Sequence, residues 1–107
     1  MSKKHLYIGQ PGAASAAVYT STNQTTSIFS ATVCNPTAGA ITLEVWHVPS
    51  GDTAADDTKI YDALSVPAND EVGLDLLINV TLDNGDAIHM AASSATSLTV
   101  NMSGDVE

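Results

Sequence analysis

The sequence predicts an all-β protein, an antiparallel β-sandwich of jelly-roll or immunoglobulin-like type with about seven or eight strands. Hydrophobic residues recur with a period of two rather than the helical period of 3.6, and turn-forming residues separate the apolar segments at short intervals. Many short strands punctuated in this way favour a sandwich or a barrel. The 107 residues contain no visible linker or repeat. We therefore expect one domain over residues 1–107, with residues 1–12 as a candidate extended N-terminal arm.

The clearest strand signal runs from Glu71 to Leu82, where every even position is apolar and the odd positions, apart from Leu77, are polar or small. This alternation is typical of a strand with one face buried and one face in solvent. Because the segment is long for a single strand, we expect a bend or bulge near Gly73, or a crossing from one sheet to the other.

The segment Ile41 to Val48 has apolar residues on both faces, with Ile41, Leu43 and Val45 on one and Trp46 and Val48 on the other. This pattern predicts a central strand, or a strand that meets a partner on its second side. Further strands are expected at 5–8 (as an edge or swapped strand), 17–20, 27–34, 59–64, 86–91 and 97–102.

The segments between the strands are rich in turn residues. Asn84-Gly85 predicts a type I′ hairpin, because both residues tolerate the positive φ that this turn requires. The alanine-rich segment 12–17 is a candidate helical turn, and the polar segment 51–58 is expected to be an exposed loop.

The composition predicts a thin core. Fifteen Ala, twelve Thr and eleven Ser stand against one Trp, one Phe and three Tyr, and small side chains bury little apolar area. A domain of this size is then expected to gain stability from oligomerisation or from docking onto a larger surface. Cys34 is the single cysteine, so an intramolecular disulfide is ruled out, and its place at the end of a strand predicts a buried thiol.

The charge is strongly acidic, with twelve Asp and Glu, three Lys and no Arg, for a formal net charge of −9. Because nucleic-acid binding depends on Lys and Arg at phosphates, we expect no nucleic-acid partner, and an anionic membrane surface is disfavoured for the same reason. The acidity is interpreted as a solubilising surface, with contact to a basic partner as the alternative. The N-terminal segment lacks the apolar region of a signal peptide, and nothing has the length of a membrane span.

No pattern indicates an enzyme, and we expect no catalytic residue, cofactor or metal. The acidic groups Asp52, Asp56, Asp57 and Asp83, Asn84, Asp86 lack the alternating ligands and closing carboxylate of a calcium loop. His5, His47 and His89 lie far apart, without zinc-like partners. Nucleophile-elbow, phosphate-loop and dinucleotide motifs are missing from the sequence. Trp46 is interpreted as a core or interface residue rather than a carbohydrate platform.

Four segments together resemble small structural proteins of tailed-bacteriophage virions: Ala31-Thr32-Val33-Cys34-Asn35-Pro36-Thr37, Val66-Pro67-Ala68-Asn69-Asp70, Leu82-Asp83-Asn84-Gly85-Asp86-Ala87-Ile88 and Asn101-Met102-Ser103-Gly104-Asp105-Val106-Glu107. The resemblance covers residues 25–107 and consists mostly of turn signatures. It implies a β-sandwich or jelly-roll fold and a place in a virion, on the capsid surface more than in the tail, after synthesis in the host bacterial cytoplasm. Such proteins include capsid decoration (cement) proteins, often trimeric, and small tail or adaptor components.

The sequence thus predicts a non-enzymatic virion structural protein. The first hypothesis is a capsid decoration protein that binds the major capsid protein or other virion proteins as a homotrimer and stabilises the shell at subunit junctions. A tail, neck or adaptor component and a glycan-binding β-sandwich are the alternatives. The residues expected at an interface are Lys3, Lys4, Leu6, Tyr7 and Trp46.

Overall fold

The computed structural model describes residues 2–107, which form nine strands and two short 3₁₀ turns. Met1, the first residue of the candidate arm, lies outside the described residues. The strands are β1 Ser2–Gly9, β2 Ala16–Thr20, β3 Thr26–Asn35, β4 Ile41–Val48, β5 Lys59–Val66, β6 Asp70–Gly73, β7 Thr81–Leu82, β8 Ala87–Ala92 and β9 Thr99–Val106. The 3₁₀ turns are Asp56–Thr58 and Asp75–Leu77.

The strands form two antiparallel sheets packed as a sandwich, which confirms the predicted fold class. Sheet A has the order β1-β9-β3-β6, with β7 also paired to β3, and sheet B has the order β2-β8-β4-β5. The strand β4 lies between β8 and β5, so the prediction of a central strand over Ile41–Val48 is confirmed. The described chain has nine strands, one more than the largest expected number, because the long segment up to Leu82 is divided.

The long segment Glu71–Leu82 bends at Gly73, as predicted. Strand β6 ends at Gly73, a 3₁₀ turn follows, and β7 adds only two residues before the chain leaves sheet A. The turn interrupts the alternation, so Leu77 is fully buried whereas Leu76 is 60% exposed, and burial at even positions returns by Leu82. The period-two assignment of Leu76 to the buried face was therefore wrong. The N–H of Leu76 instead donates to the hydroxyl oxygen of Tyr61, which joins this turn to sheet B.

The core lies between the two sheets and consists mainly of aliphatic side chains that alternate along the strands. From sheet A it takes Ile28, Val33, Val100 and Met102, and from sheet B it takes Leu43, Val45, Ile88 and Met90. The core is closed by Leu82 of β7 and by Leu74, Leu77 and Leu98 at the strand connections.

Asn35 is a fully buried polar residue at the end of β3, within one of the turn motifs. Its side-chain N–H groups donate to the carbonyl oxygens of Gly39 (2.8 Å) and Val66 (2.9 Å), and its oxygen accepts bonds from the N–H and the hydroxyl of Thr37. Four hydrogen bonds compensate the burial of the amide. They also fasten the 36–39 turn of one connection to the end of β5.

Three local predictions were wrong. Asn84-Gly85 does not form a hairpin, because β7 pairs in sheet A and β8 in sheet B; at this turn only Gly85 has positive φ. Segment 12–17 forms no helical turn, and β2 begins at Ala16. Cys34 is exposed rather than buried, because Val33 and Asn35 on either side of it take the inward positions of β3.

Candidate interaction surfaces

Four of the five predicted interface residues lie on β1, the strand at one edge of sheet A. This strand pairs with β9 along its length. Lys3 and Lys4 are exposed, whereas Leu6 and Tyr7 are half-buried and pack against the core, and burial raises the pKa of the Tyr7 hydroxyl. The fifth residue, Trp46, lies on β4 in sheet B. The predicted set is therefore divided between the two sheets.

Phe29 is a surface residue that the sequence interpretation missed. It is the extra residue of a β-bulge in β3, between Ile28 and Ser30, and it is 42% exposed. The ammonium of Lys3 lies 5.9 Å from the centre of its ring, within cation–π range. A bulge pushes a side chain off the regular alternation. The sequence signal that could have revealed it is the pair of consecutive large apolar residues at 28–29 in a strand with one buried face.

Ile8 on β1 is a second large apolar residue in solvent, with 59% exposure. It is paired with Asn101 of β9, just as Lys3 is paired with Asp105, and directly paired residues share one face of a sheet. We call Lys3, His5, Ile8 and Phe29 on this face, together with Lys4, which is paired with Gly104 and lies on the other face of the same edge strand, the edge patch. It combines exposed basic or titratable side chains with two of the three large hydrophobic residues that are exposed in residues 2–107.

Two bulges meet behind the edge patch. The bulge of β1 at Leu6 lies opposite Met102-Ser103 of β9, and the bulge of β3 at Phe29 lies opposite the adjoining pair Ser103-Gly104. A Cβ atom on Gly104 would come within 2.5 Å of the carbonyl oxygen of Ser27 and 2.9 Å of Leu6 Cδ1. Glycine at this position permits the close approach that lets both neighbours bulge.

The outer face of sheet B, which points away from the core, carries a separate apolar cluster around Trp46. Trp46 is only 7% exposed and packs with Val48, Ala91 and the loop residue Ala54. The ammonium of Lys59 lies 5.3 Å from the centre of the indole. The second apolar face predicted for this strand is thus covered by the chain itself. A ring buried to this extent offers no stacking platform for a sugar.

Lys59 is surrounded by carboxylates. Its ammonium lies 2.7 Å from Glu44, 3.1 Å from Asp62 and 3.9 Å from Asp56. The hydrogen bond to Glu44, followed by that to Asp62, raises the pKa of Lys59 to about 12. Asp56, Lys59, Ile60 and Asp62 line a surface depression of about 360 Å³. The charge of this lysine is therefore compensated locally, unlike the charges of the edge patch.

Asp86 organises one end of sheet B. Its carboxylate accepts bonds from the N–H groups of Ser50 (3.0 Å) and Asp83 (3.1 Å), and it lies 3.4 Å from Nε2 of His47. Burial raises the pKa of Asp86, but these hydrogen bonds outweigh burial and leave that pKa below its usual value. Asp86 therefore connects the loop that follows β4 to the loop that precedes β8.

Several of the side chains considered as metal ligands accept hydrogen bonds from backbone N–H groups, and the histidines lie on separate strands. Within residues 2–107, no three His, Cys, Asp or Glu side chains converge on a common centre. The Asp52 carboxylate accepts the N–H of Thr53, and the Asn84 oxygen accepts the N–H of Asn23. His5, His47 and His89 lie on three different strands, β1, β4 and β8. In the same part of the chain, no helix is long and apolar enough to span a bilayer.

Comparison of the chain with protein-family models, with curated proteins and with solved structures gives no match. The fold and the surfaces define an antiparallel β-sandwich with one exposed cationic and apolar patch and one covered aromatic cluster.

Proposed function

We propose that this protein is a non-enzymatic structural component of a tailed-bacteriophage virion, and specifically a capsid decoration protein that binds as a homotrimer at junctions between capsid subunits. The sequence-level support is the set of turn motifs that resembles small virion proteins. The structural observation that carries the proposal is the edge patch, which gathers exposed cations and apolar groups on one edge of an acidic body.

The composition of the edge patch suits a protein partner. A partly exposed aromatic side chain such as Phe29 can anchor an interface, and lysines beside it add electrostatic complementarity. Lys3 and Lys4 belong to a chain with twelve acidic residues, and Lys59 is already compensated by carboxylates. A partner with acidic groups beside an apolar surface would therefore be attracted more to the edge patch, where Asp105 is the carboxylate paired with Lys3, than to the rest of this acidic molecule.

A decoration protein binds in many copies, so a modest affinity per copy is sufficient to stabilise a shell. The patch matches that requirement because it is small and needs no deep pocket. A tail, neck or adaptor component would use the same chemistry in far fewer copies. The covered position of Trp46 disfavours the glycan-binding alternative.

The test uses virions that carry this chain and measures its copy number per particle by quantitative mass spectrometry. Decoration predicts a copy number that scales with the major capsid protein, whereas a tail or neck component predicts a few copies. Absence of the chain from purified virions would overturn the proposal.

The site is tested by adding purified variants back to particles that lack the protein. Phe29→Ala and the double change Lys3→Glu with Lys4→Glu are each expected to weaken binding by about tenfold or more, as loss of an interface anchor does. Leu76→Ala is the matched control, because Leu76 is also an exposed large apolar residue (60%) but lies in the 3₁₀ turn that follows β6, at the opposite edge of sheet A. If Leu76→Ala weakened binding as much as Phe29→Ala, the edge patch would not be the docking site.

A further inference from the structure

The burial of Trp46 depends on a loop that is itself at the surface. Residues 49–58, here called loop 49–58, connect β4 to β5, and Ala54 of this loop packs on the Trp46 cluster. Most other residues of the loop are exposed. Trp46 does not belong to the core between the sheets, since its neighbour Val45 occupies the inward position. Local displacement of the loop would therefore uncover the indole without opening the core.

Loop 49–58 is attached to sheet B by polar contacts near its two ends. At the first end, the N–H of Ser50 donates to the Asp86 carboxylate. At the second end, the carboxylate of Asp56 in the loop lies 3.9 Å from the ammonium of Lys59, the first residue of β5, which is held in turn by Glu44 of β4. Between these ends, hydrogen bonds such as Asp52 N–H to Pro49 and Thr58 N–H to Ala55 stay within the loop. Carboxylates thus provide both attachments.

We propose that loop 49–58 is an acid-released latch over Trp46: carboxylates hold it closed at neutral pH, and their protonation lets it open while the two sheets stay paired. The inference is independent of the proposed virion role, because it concerns the other sheet and is tested on the purified protein alone.

The direction of the pH effect follows from the groups that face each attachment. Asp86 faces His47 of β4 and the N–H groups of Ser50 and Asp83, and its pKa in the fold is lower than usual. A carboxylate with a lowered pKa stabilises the folded contact above its unfolded value of about 3.9, and this contribution is lost as the pH falls through the folded value. His47 is the imidazole that faces Asp86, with its Nε2 3.4 Å from the carboxylate.

The second attachment has the same sign in acid. Lys59 faces Glu44, Asp56 and Asp62, and across the strand pair His89 of β8 lies opposite Trp46. Because the pKa of Lys59 is raised to about 12, its cation is present throughout the acid range. The contribution of its raised pKa is complete below the unfolded value and is lost only as the pH rises through the folded value. This attachment therefore depends in acid on the carboxylates that contact Lys59, chiefly Glu44 and Asp56, and not on Lys59 itself.

Trp46 is the single tryptophan of the chain, so its fluorescence reports the latch directly. We expect the emission maximum to shift to the red and acrylamide quenching to rise several-fold as the pH is lowered from 7 to about 3, before the far-UV circular dichroism of the sheets is lost. Asp86→Asn removes the charge at the first attachment and is expected to give increased quenching already at pH 7. Glu44→Gln acts at the second attachment, with a smaller increase.

Asp105→Asn is the matched control, because it neutralises a carboxylate of β9 in sheet A; it is expected to retain the wild-type pH profile. The proposal is overturned if fluorescence and circular dichroism change in one coincident transition, or if Asp86→Asn and Glu44→Gln both leave quenching at the wild-type value at pH 7. Circular dichroism is recorded for each variant, and if Asp86→Asn is unfolded, the wild-type pH series and Glu44→Gln test the proposal.

Discussion

The outer faces of the two sheets carry the same pair of groups in opposite settings. Sheet A presents Phe29 with Lys3 5.9 Å from its ring, and sheet B presents Trp46 with Lys59 5.3 Å from its ring. Phe29 is 42% exposed and Trp46 is 7% exposed. The difference arises because loop 49–58 returns across sheet B and brings Ala54 onto the indole, whereas Phe29 protrudes from a bulge.

Lys59 and the lysines of the edge patch differ in the same way, in how far their surroundings compensate and cover them. Lys59 has three carboxylate neighbours within 4 Å, and its cation completes a covered cluster. Lys3 and Lys4 are exposed on an edge strand. An aromatic ring beside a lysine therefore has no fixed role. The path of the connecting loop decides whether the pair stabilises the fold or remains available to a partner.

The largest expected effect tests this contrast directly through protein stability. Trp46→Ala is expected to destabilise the protein by about 3–5 kcal/mol, because a buried aromatic side chain is lost and a cavity remains. Phe29→Ala is expected to cost about 1 kcal/mol or less, because much of its ring is already in solvent. Urea denaturation of both variants measures the difference. Equal costs would mean that Phe29 is as structural as Trp46.

A smaller loss of stability is expected at Gly104, the glycine that permits the bulges of β1 and β3 behind the edge patch. Gly104→Ala places a Cβ against Ser27 and Leu6, and such overpacking costs about 1–3 kcal/mol. Thermal unfolding compares this variant with Gly12→Ala, since a Cβ at Gly12 would meet nothing within 4 Å. If Gly104→Ala were as stable as Gly12→Ala, the close approach of β9 to its neighbours would not depend on glycine.

The smallest expected effect concerns Cys34, which lies on the exposed side of β3. Cys34→Ser is expected to change the free energy of unfolding by no more than about 0.5 kcal/mol, as exposed substitutions do. The wild-type thiol should react with a thiol reagent in the folded protein at a rate close to that of a free cysteine peptide. Protection of the thiol until unfolding would contradict its exposed position and indicate a covered face on sheet A.

Local alternation predicted the strands well where each residue keeps its place in the period of two. Strand β4 has the predicted bounds, Ile41–Val48, and its two apolar faces correspond to the core side and the Trp46 cluster. Alternation failed at Leu76 and Phe29, because a 3₁₀ turn and a bulge each change the side to which the next residue points. These local shifts depend on neighbouring strands, which the sequence pattern does not contain.

The turn at Asn84-Gly85 was likewise predicted only in part. Asn84-Gly85 correctly marks a reversal of the chain, but a hairpin requires the flanking strands to pair, and here they belong to different sheets. Among the candidate interface residues, the four on β1 could be grouped from their proximity in the chain. Phe29 joins them only through the pairing of both β1 and β3 with β9.

The amino-acid sequence by itself determined the all-β class, the approximate number of strands, the bend at Gly73 and the acidic body with its two N-terminal lysines, because these follow from local periodicity, backbone freedom and charge. The tertiary structure alone decided which aromatic residue is covered, which lysine is compensated and which carboxylates attach loop 49–58. Those properties depend on contacts between segments far apart in the chain. The physical reason is that burial and ion pairing are set by the neighbours that folding brings together.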